Sequence, residues 1–543
     1  MTLTLKAVHT LNVWRTRDQP MHADIVLLNG NFVTMNPTQP HAQAVAVKDT
    51  KLTEVGTNKQ IKRWINKQTK IIDLKGKMVV PGLIDAHVHM AGFGRWLTRI
   101  DLRGAKSIKE IQKKVKKQVQ ETPRGKWILG RGWDQDRLAE KRYPRRWDLD
   151  KASPHHPVII NRVCGHMSVV NTEALELAGI TKETLSPPGG QIDKEPKTNE
   201  PTGILRENAA MNLVWDKVPE PSEEELTDTC SLACRKAVEA GLTSVHWLVY
   251  EPIEIRVLQK LKAQGKLPLR AYIIMPVEFF GCLRDAGLST GFGDPVTRIG
   301  SIKILVDGSL GARTAALKQP YSDDPSTGGM LICNRRELCD MVAEAHRAGF
   351  QLAVHAIGDR AIDLVLTAFE RALKQMLRKG HRHRIEHASV LNKKLIQRMK
   401  KIGLIASVQP HFVISDFWVV NRVGRARAKW VYPFKTLIHE GVVSAGGSDC
   451  PVEPISPLLG IYAAVARKSF PQERVTVDEA LRMYTINAAY ASFEEDAKGS
   501  IAVGKLADLT VLSDDPRKIA PNKIKDIVVE MTIVGGRTVY SRR

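Results

Sequence analysis

The chain has 543 residues, of which 43% are hydrophobic and 26% charged, and a formal net charge of +23. This length exceeds one ordinary compact domain and buries a large core without disulfides or structural metals, and the composition excludes a disordered or fibrous chain. No run of about 18 apolar residues occurs, which reads against a transmembrane helix, and the mixed segment 1–21, with Arg15, Arg17 and Asp18, lacks the apolar stretch of a secretory leader.

Taken in chain order, residues 1–22 read as a loose N-terminal extension. Residues 23–80 read as short strands at 24–28, 32–35, 44–47 and 77–80, with turn chemistry at Asn29-Gly30 and Gly56-Thr57. Residues 500–543 have the same texture, with strands at 508–512, 527–533 and 538–540 and Gly535-Gly536 between the last two. One small β-sandwich domain built from both termini is the economical reading.

The middle, 81–499, has a different rhythm. Apolar strands at 82–87, 243–247, 269–275, 300–306, 351–356, 383–387, 404–409 and 442–446 alternate with amphipathic helices such as 337–348 and 360–373. That alternation predicts an α/β fold, a (β/α)8 TIM-like barrel, with a doubly wound open sheet as the structural alternative. The stretch between the first two strands is far too long for a normal connection. It reads as a large insertion after the first barrel strand, at about 95–225, lying over the catalytic face.

The 7 cysteines are scattered and form no Cys-x-x-Cys, which predicts a reducing, cytoplasmic setting. Basic residues are spread along the chain between apolar ones, as at 113–117 and 393–401, with no block of basic and aromatic residues. Charge alone supplies non-specific attraction, so no specific nucleic-acid partner and no membrane partner are expected.

The chemistry sits at strand ends. His87 and His89 close the first strand in Asp85-Ala86-His87-Val88-His89, and residues two apart on a strand face the same side, as a divalent metal requires. Lys303 lies inside the apolar run Ile302-Lys303-Ile304-Leu305-Val306, a costly place for an unpartnered cation. Taken singly, it reads rather as a lysine at a sheet edge or snorkelling to solvent, and only the residues below turn the reading to a buried functional lysine. His355 and His387 end their strands at the same rim, and each alone reads equally as a satisfied core histidine. Asp449 follows Gly446-Gly447-Ser448 after the last strand, where its bland reading is a helix cap or turn residue. Four histidines, a lysine and an aspartate at corresponding strand ends suit zinc, and also manganese, iron or cobalt.

This pattern of His-x-His on the first strand, Lys on the fourth, His on the fifth and sixth and Asp on the eighth resembles the amidohydrolase superfamily. The segment Lys498-Gly499-Ser500-Ile501-Ala502-Val503-Gly504-Lys505-Leu506-Ala507-Asp508-Leu509 looks like the family's return strand. Four further motifs narrow the resemblance to the YtcJ-like branch that includes N-substituted formamide deformylases. They are Gly130-Arg131-Gly132-Trp133-Asp134-Gln135, Asp307-Gly308-Ser309-Leu310-Gly311-Ala312-Arg313-Thr314, Arg384-Ile385-Glu386-His387 and Gln409-Pro410-His411.

The resemblance implies hydrolysis of an amide-like, non-peptide carbon–nitrogen bond by a metal-activated hydroxide, with one or two zinc ions per chain. His87, His89 and Asp449 would hold the first metal, and His355 and His387 the second. An N-carboxylated Lys303 would bridge them. Asp449 is the expected proton carrier, and His411 is a candidate for polarising the carbonyl, weighed equally against a structural turn histidine. Trp133, Asp134, Asp307 and Arg313 are expected at the substrate, with Asp359, Arg162 and His166 as weaker candidates. Strand alternation points Glu386 away from the metal side. The partner is a small amide-like molecule, and a homo-oligomer is expected, as for many relatives. Two alternatives remain: a mononuclear deaminase of the same superfamily, against which Lys303 counts, and a catalytically inactive basic binding protein, against which the intact ligand set counts.

Overall fold

Eight parallel strands form the centre of the molecule: β1 (Leu83–Val88), β2 (Leu242–Leu248), β3 (Arg270–Pro276), β4 (Thr297–Leu305), β5 (Gln351–Ala356), β6 (Arg384–His387), β7 (Ile405–Val408) and β8 (Ser444–Gly446). The computed structural model describes residues 22–162 and 167–542. Most of these strands are buried along their whole length, as parallel strands covered by helices on their outer face must be. Each strand is hydrogen-bonded to the next in chain order, giving a nearly closed barrel. Its two edges, β1 and β8, meet just past the strand ends, where the Asp449 N–H donates to the His87 carbonyl at 2.7 Å. Gly447 permits that approach, because a Cβ there would stand 2.6 Å from the His87 nitrogen.

The surrounding helices start where the local chemistry says they should. Ser222 and Glu225 form a capping box for Glu223–Glu239, and Asn334 and Glu337 form one for Arg335–Arg347. Helix Glu223–Glu239 buries Leu226, Cys230, Ala233, Ala237 and Val238, one stripe at helical spacing, against the barrel.

The barrel interior is more polar than the branched aliphatic filling usual for this architecture. Gln351 is the hub at its lower end. It accepts from the Tyr272 hydroxyl (2.8 Å) and the Ser301 hydroxyl (2.5 Å), and donates to the Arg382 and Ala491 carbonyls. Every group in this network is satisfied, the condition for burying it without penalty.

Strands from both ends of the chain do share a sheet. Leu509–Leu512 runs antiparallel to Met78–Pro81 within a six-stranded sheet that also holds Asn31–Val33, His41–Ala42, Val529–Val534 and Arg537–Ser541. A second, four-stranded sheet comes from the N-terminal part alone and includes Lys51–Gly56 and Lys70–Asp73, which were not foreseen. Leu27, Val45, Phe32, Val79, Leu509 and Ile533 form a common core. A buried Arg270–Asp508 ion pair, 2.7 Å, ties this region to the start of β3.

The long stretch between β1 and β2 holds a sheet of its own. It has six strands: Ile100–Asp101, Ile128–Trp133, Val158–Arg162, Met167–Val170, Gln191–Lys194 and Pro201–Arg206. Neighbouring residues Ile159 and Ile160, or Ile204 and Leu205, enter two separate apolar clusters on its opposite faces. With both faces covered, the strands carry no polar–apolar alternation, so the sequence pattern showed an insertion but not its strands.

Candidate metal centre

His87 is fully buried at the end of β1. Its Nδ1 contacts the Glu386 carboxylate, which fixes the ring and leaves Nε2 to face inward. That Nε2 is buried, has no hydrogen-bond partner and lies 3.4 Å from Asp449 Oδ1. His387 is arranged in the same way. Its Nδ1 lies 2.7 Å from Gln409 Oε1, so a proton there donates to the amide and frees Nε2. His89 Nε2 lies 3.1 Å from the same Asp449 oxygen, and its ring stacks on Tyr250 at 4.8 Å. One ligand atom each from His87, His387 and Asp449 falls within 4.8 Å of the others.

Local backbone geometry makes this possible. His387 has φ 74° and Ala388 φ 45°, so β6 ends by turning into the left-handed region. Glu386 therefore faces the barrel interior as a strand residue, while the turn swings His387 toward the same centre. The expectation that Glu386 points away is corrected: alternation fails at the last residue of the strand. Asp449, at φ 56°, is likewise aimed by a non-extended backbone.

Electrostatics favours the ligand forms. Burial pushes the Asp449 carboxyl up, but the His87 and His89 imidazoles beside it outweigh this and hold it well below the carboxylate range. Burial, then the neighbouring His355, keeps His387 far below an ordinary imidazole. Burial and the Lys303 charge bring His355 down to about 3. Neutral imidazoles and an ionised carboxylate are what a metal binds. Burial also lowers Lys303 to about 8, against the opposing charges of Glu386 and Asp449.

His87, His89, Lys303, His355, His387 and Asp449 all line one cavity of about 750 Å³. Within it the grouping differs from the expected pairs, because His387 joins His87 and Asp449. His355 packs 4.5 Å from the His387 ring, and its Nε2 lies 3.2 Å from the Gly308 carbonyl.

The other expected site residues lie elsewhere. Trp133 is fully buried in the inserted sheet's own core, its indole N–H donating to the Ile160 carbonyl at 3.0 Å. Asp134 pairs with Arg162 at 3.1 Å, and Arg313 pairs with Asp323. Asp307 is buried and accepts from the Ile357, Gly358 and Ala316 N–H groups, so it shapes the loop after His355, and its Oδ1 lies 3.5 Å from His355 Nε2, behind the cavity lining. Asp359 accepts from the Lys318 N–H. His411 opens the short helix after β7 with its Nδ1 on the Glu453 carboxylate and is not among the residues lining the cavity. His166 falls outside the described residues.

The group that sequence reasoning missed is Arg384. Fully buried, it binds both Glu386 oxygens, the Ala86 carbonyl, Ser407 Oγ and His246 Nδ1. It thus locks the carboxylate that orients His87. The signal was present: Arg384 and Glu386, two apart in one buried strand, share a face and must pair.

The model of the amidohydrolase family matches residues 70–540. The chain belongs to the amidohydrolase family. This amidohydrolase is 35% identical over 531 residues to YtcJ of Bacillus subtilis (strain 168), an amidohydrolase by name, covering 95% of this chain and 99% of that one. It is 30% identical over 543 residues to the N-substituted formamide deformylase of Arthrobacter pascens, covering 96% and 98%. Among solved structures, an uncharacterised metal-dependent hydrolase from Pyrococcus furiosus superposes with a TM-score of 0.78 at 35% identity, covering 91% of the amidohydrolase and all of the archaeal chain. Among the described residues, no helix of this hydrolase is long and apolar enough to cross a membrane.

Proposed function

We propose that this amidohydrolase is a metal-dependent enzyme that cleaves an amide-like, non-peptide carbon–nitrogen bond, with N-substituted formamides or related small amides as substrates. The observation that carries the reading is the convergence of all six strand-end residues on one cavity, with His87 Nε2 buried and unpartnered beside Asp449. Two imidazole nitrogens and a carboxylate suit a divalent cation, zinc first. His87, His387 and Asp449 would hold it, with His89 and His355 at hand for a second.

A cation held there would supply Lewis-acid chemistry, polarising a carbonyl oxygen and lowering the pKa of water toward neutrality. Asp449 then takes the proton from the attacking water and returns it to the leaving nitrogen. Lys303, with its amine brought down to about 8, reaches the neutral form that adds to carbon dioxide. The new N–C bond and the released proton leave a carbamate, which removes a buried cation and adds an anionic ligand. Tyr250, its phenol pushed up to about 12 by burial, stays protonated beside His89 as a neutral donor.

Metal analysis of the purified protein, paired with a screen over N-formyl amines, N-acyl amino acids, cyclic amides and small esters, tests this. Bound metal with hydrolysis of an N-formyl amine, lost on chelation and restored by zinc, is expected. A chain that takes up no metal, or turnover indifferent to chelation, overturns the reading. About two metals per chain with a modified Lys303 marks the binuclear form, and one metal with an unmodified Lys303 marks the deaminase alternative.

A further inference from the structure

The inference concerns what the cavity accepts, and it rests on the hydrolase reading above. Away from the histidine centre, the cavity wall holds Leu305, Ile332 and Val452, which are 50%, 55% and 65% exposed, with Leu248 behind them. Large aliphatic side chains held this open at one concave mouth mark a surface that a ligand covers. Among the described lining residues the only cationic side chain is Lys303, which sits at the centre itself. Apart from Lys303 and Asp449 at the centre, the charged lining group is Glu278, an exposed carboxylate that makes no ion pair among the described residues. On a chain of formal charge +23, this wall is apolar with one negative charge.

We propose that the group flanking the scissile bond is a neutral, apolar substituent, and that a carboxylate on that substituent is rejected. Such a carboxylate would lose water against aliphatic side chains, find no cation to pair with, and face Glu278. An apolar group in its place covers Leu305, Ile332 and Val452.

N-(2-phenylethyl)formamide and N-formylphenylalanine differ by one carboxylate and form the test pair. We expect kcat/KM to favour the neutral member by about 100-fold. Equal or better cleavage of the carboxylate member overturns the proposal. If neither is cleaved, formamide hydrolysis falls but the cavity inference is still read by calorimetric binding of the methanesulfonamides of the same two amines, which cannot be hydrolysed. The neutral one is expected to bind about tenfold tighter, and equal affinity overturns the proposal. Glu278→Lys is expected to narrow the preference about tenfold by improving the carboxylate member, and an unchanged ratio counts against it. Since Glu278 is exposed, this variant does not burden folding.

Discussion

The barrel rim and the inserted sheet both carry histidine, arginine, aspartate and aromatic side chains, yet they use them in opposite ways. In the inserted sheet the polar groups complete one another. Arg162 holds Asp134, Arg206 holds Asp193 and Arg145 holds Glu195, while the Trp133 indole is satisfied by a carbonyl. At the rim each key imidazole has one nitrogen committed to an orienting partner, Glu386 for His87 and Gln409 for His387, and the other left open toward Asp449. A site is recognised by donor atoms that the fold orients but does not satisfy. A Trp-Asp motif whose groups are all satisfied is structure.

The widest separation between the two regions is expected from Asp449→Ala. It should cut kcat/KM by about 10³-fold or more, about 4 kcal/mol, while the circular dichroism spectrum stays close to that of the parent. Near-normal turnover would remove Asp449 from the chemistry. Trp133→Ala should do the reverse, costing about 3–5 kcal/mol of stability in a thermal or denaturant melt, with kcat per folded molecule retained. A loss of kcat in the folded fraction would return Trp133 to the substrate site and collapse the contrast.

Glu386→Gln probes what orients the rim. Removing the charge that holds His87 and Arg384 should weaken metal binding about 10–100-fold in a chelator competition, with the barrel still formed. An unchanged affinity would mean that His87 needs no fixing. Lys303 supplies a pH signature. Its native pKa of about 8 lies below the 10.5 of the unfolded chain. Between those values the unfolded state binds more protons, so stability rises with pH. The unfolding free energy of metal-free protein in carbon-dioxide-free buffer, read from denaturant melts, should therefore rise between about pH 8 and pH 10.5 by about 3 kcal/mol relative to Lys303→Met. A parallel course in both proteins would show Lys303 to be solvated. Arg313→Ala should matter least: its part-exposed pair with Asp323 is worth about 1 kcal/mol or less, and kcat should not move.

Much of this is legible in the amino-acid sequence. Short apolar runs alternating with amphipathic helices marked the barrel strands and the helices between them, because parallel strands under helices must be apolar. The ligand candidates stood out only as a set: each alone has an ordinary reading, but four histidines, a lysine and an aspartate at corresponding strand ends share one explanation. Where both faces of a sheet are buried, as at Ile159-Ile160, alternation vanishes and the inserted strands went unread. Where a strand ends in a left-handed turn, as at His387, alternation misassigned Glu386. Pocket residues inferred from motifs fared differently from the ligands. Asp307 and Arg313 belong to loops whose partners, the Ile357 and Gly358 amides and Asp323, come from other parts of the chain.

The order of the residues alone determined the alternation that makes a barrel, the termini that return to one sheet, and the set of side chains able to bind a metal. Those follow from local periodicity and from the cost of burying charge. Only the tertiary structure decided which imidazole nitrogen is free, that His387 joins His87 and Asp449, that Arg384 anchors the arrangement, and that Trp133 is core. Those depend on partners brought together by strand pairing and on φ angles at strand ends, and neither is written in the spacing of residues along the chain.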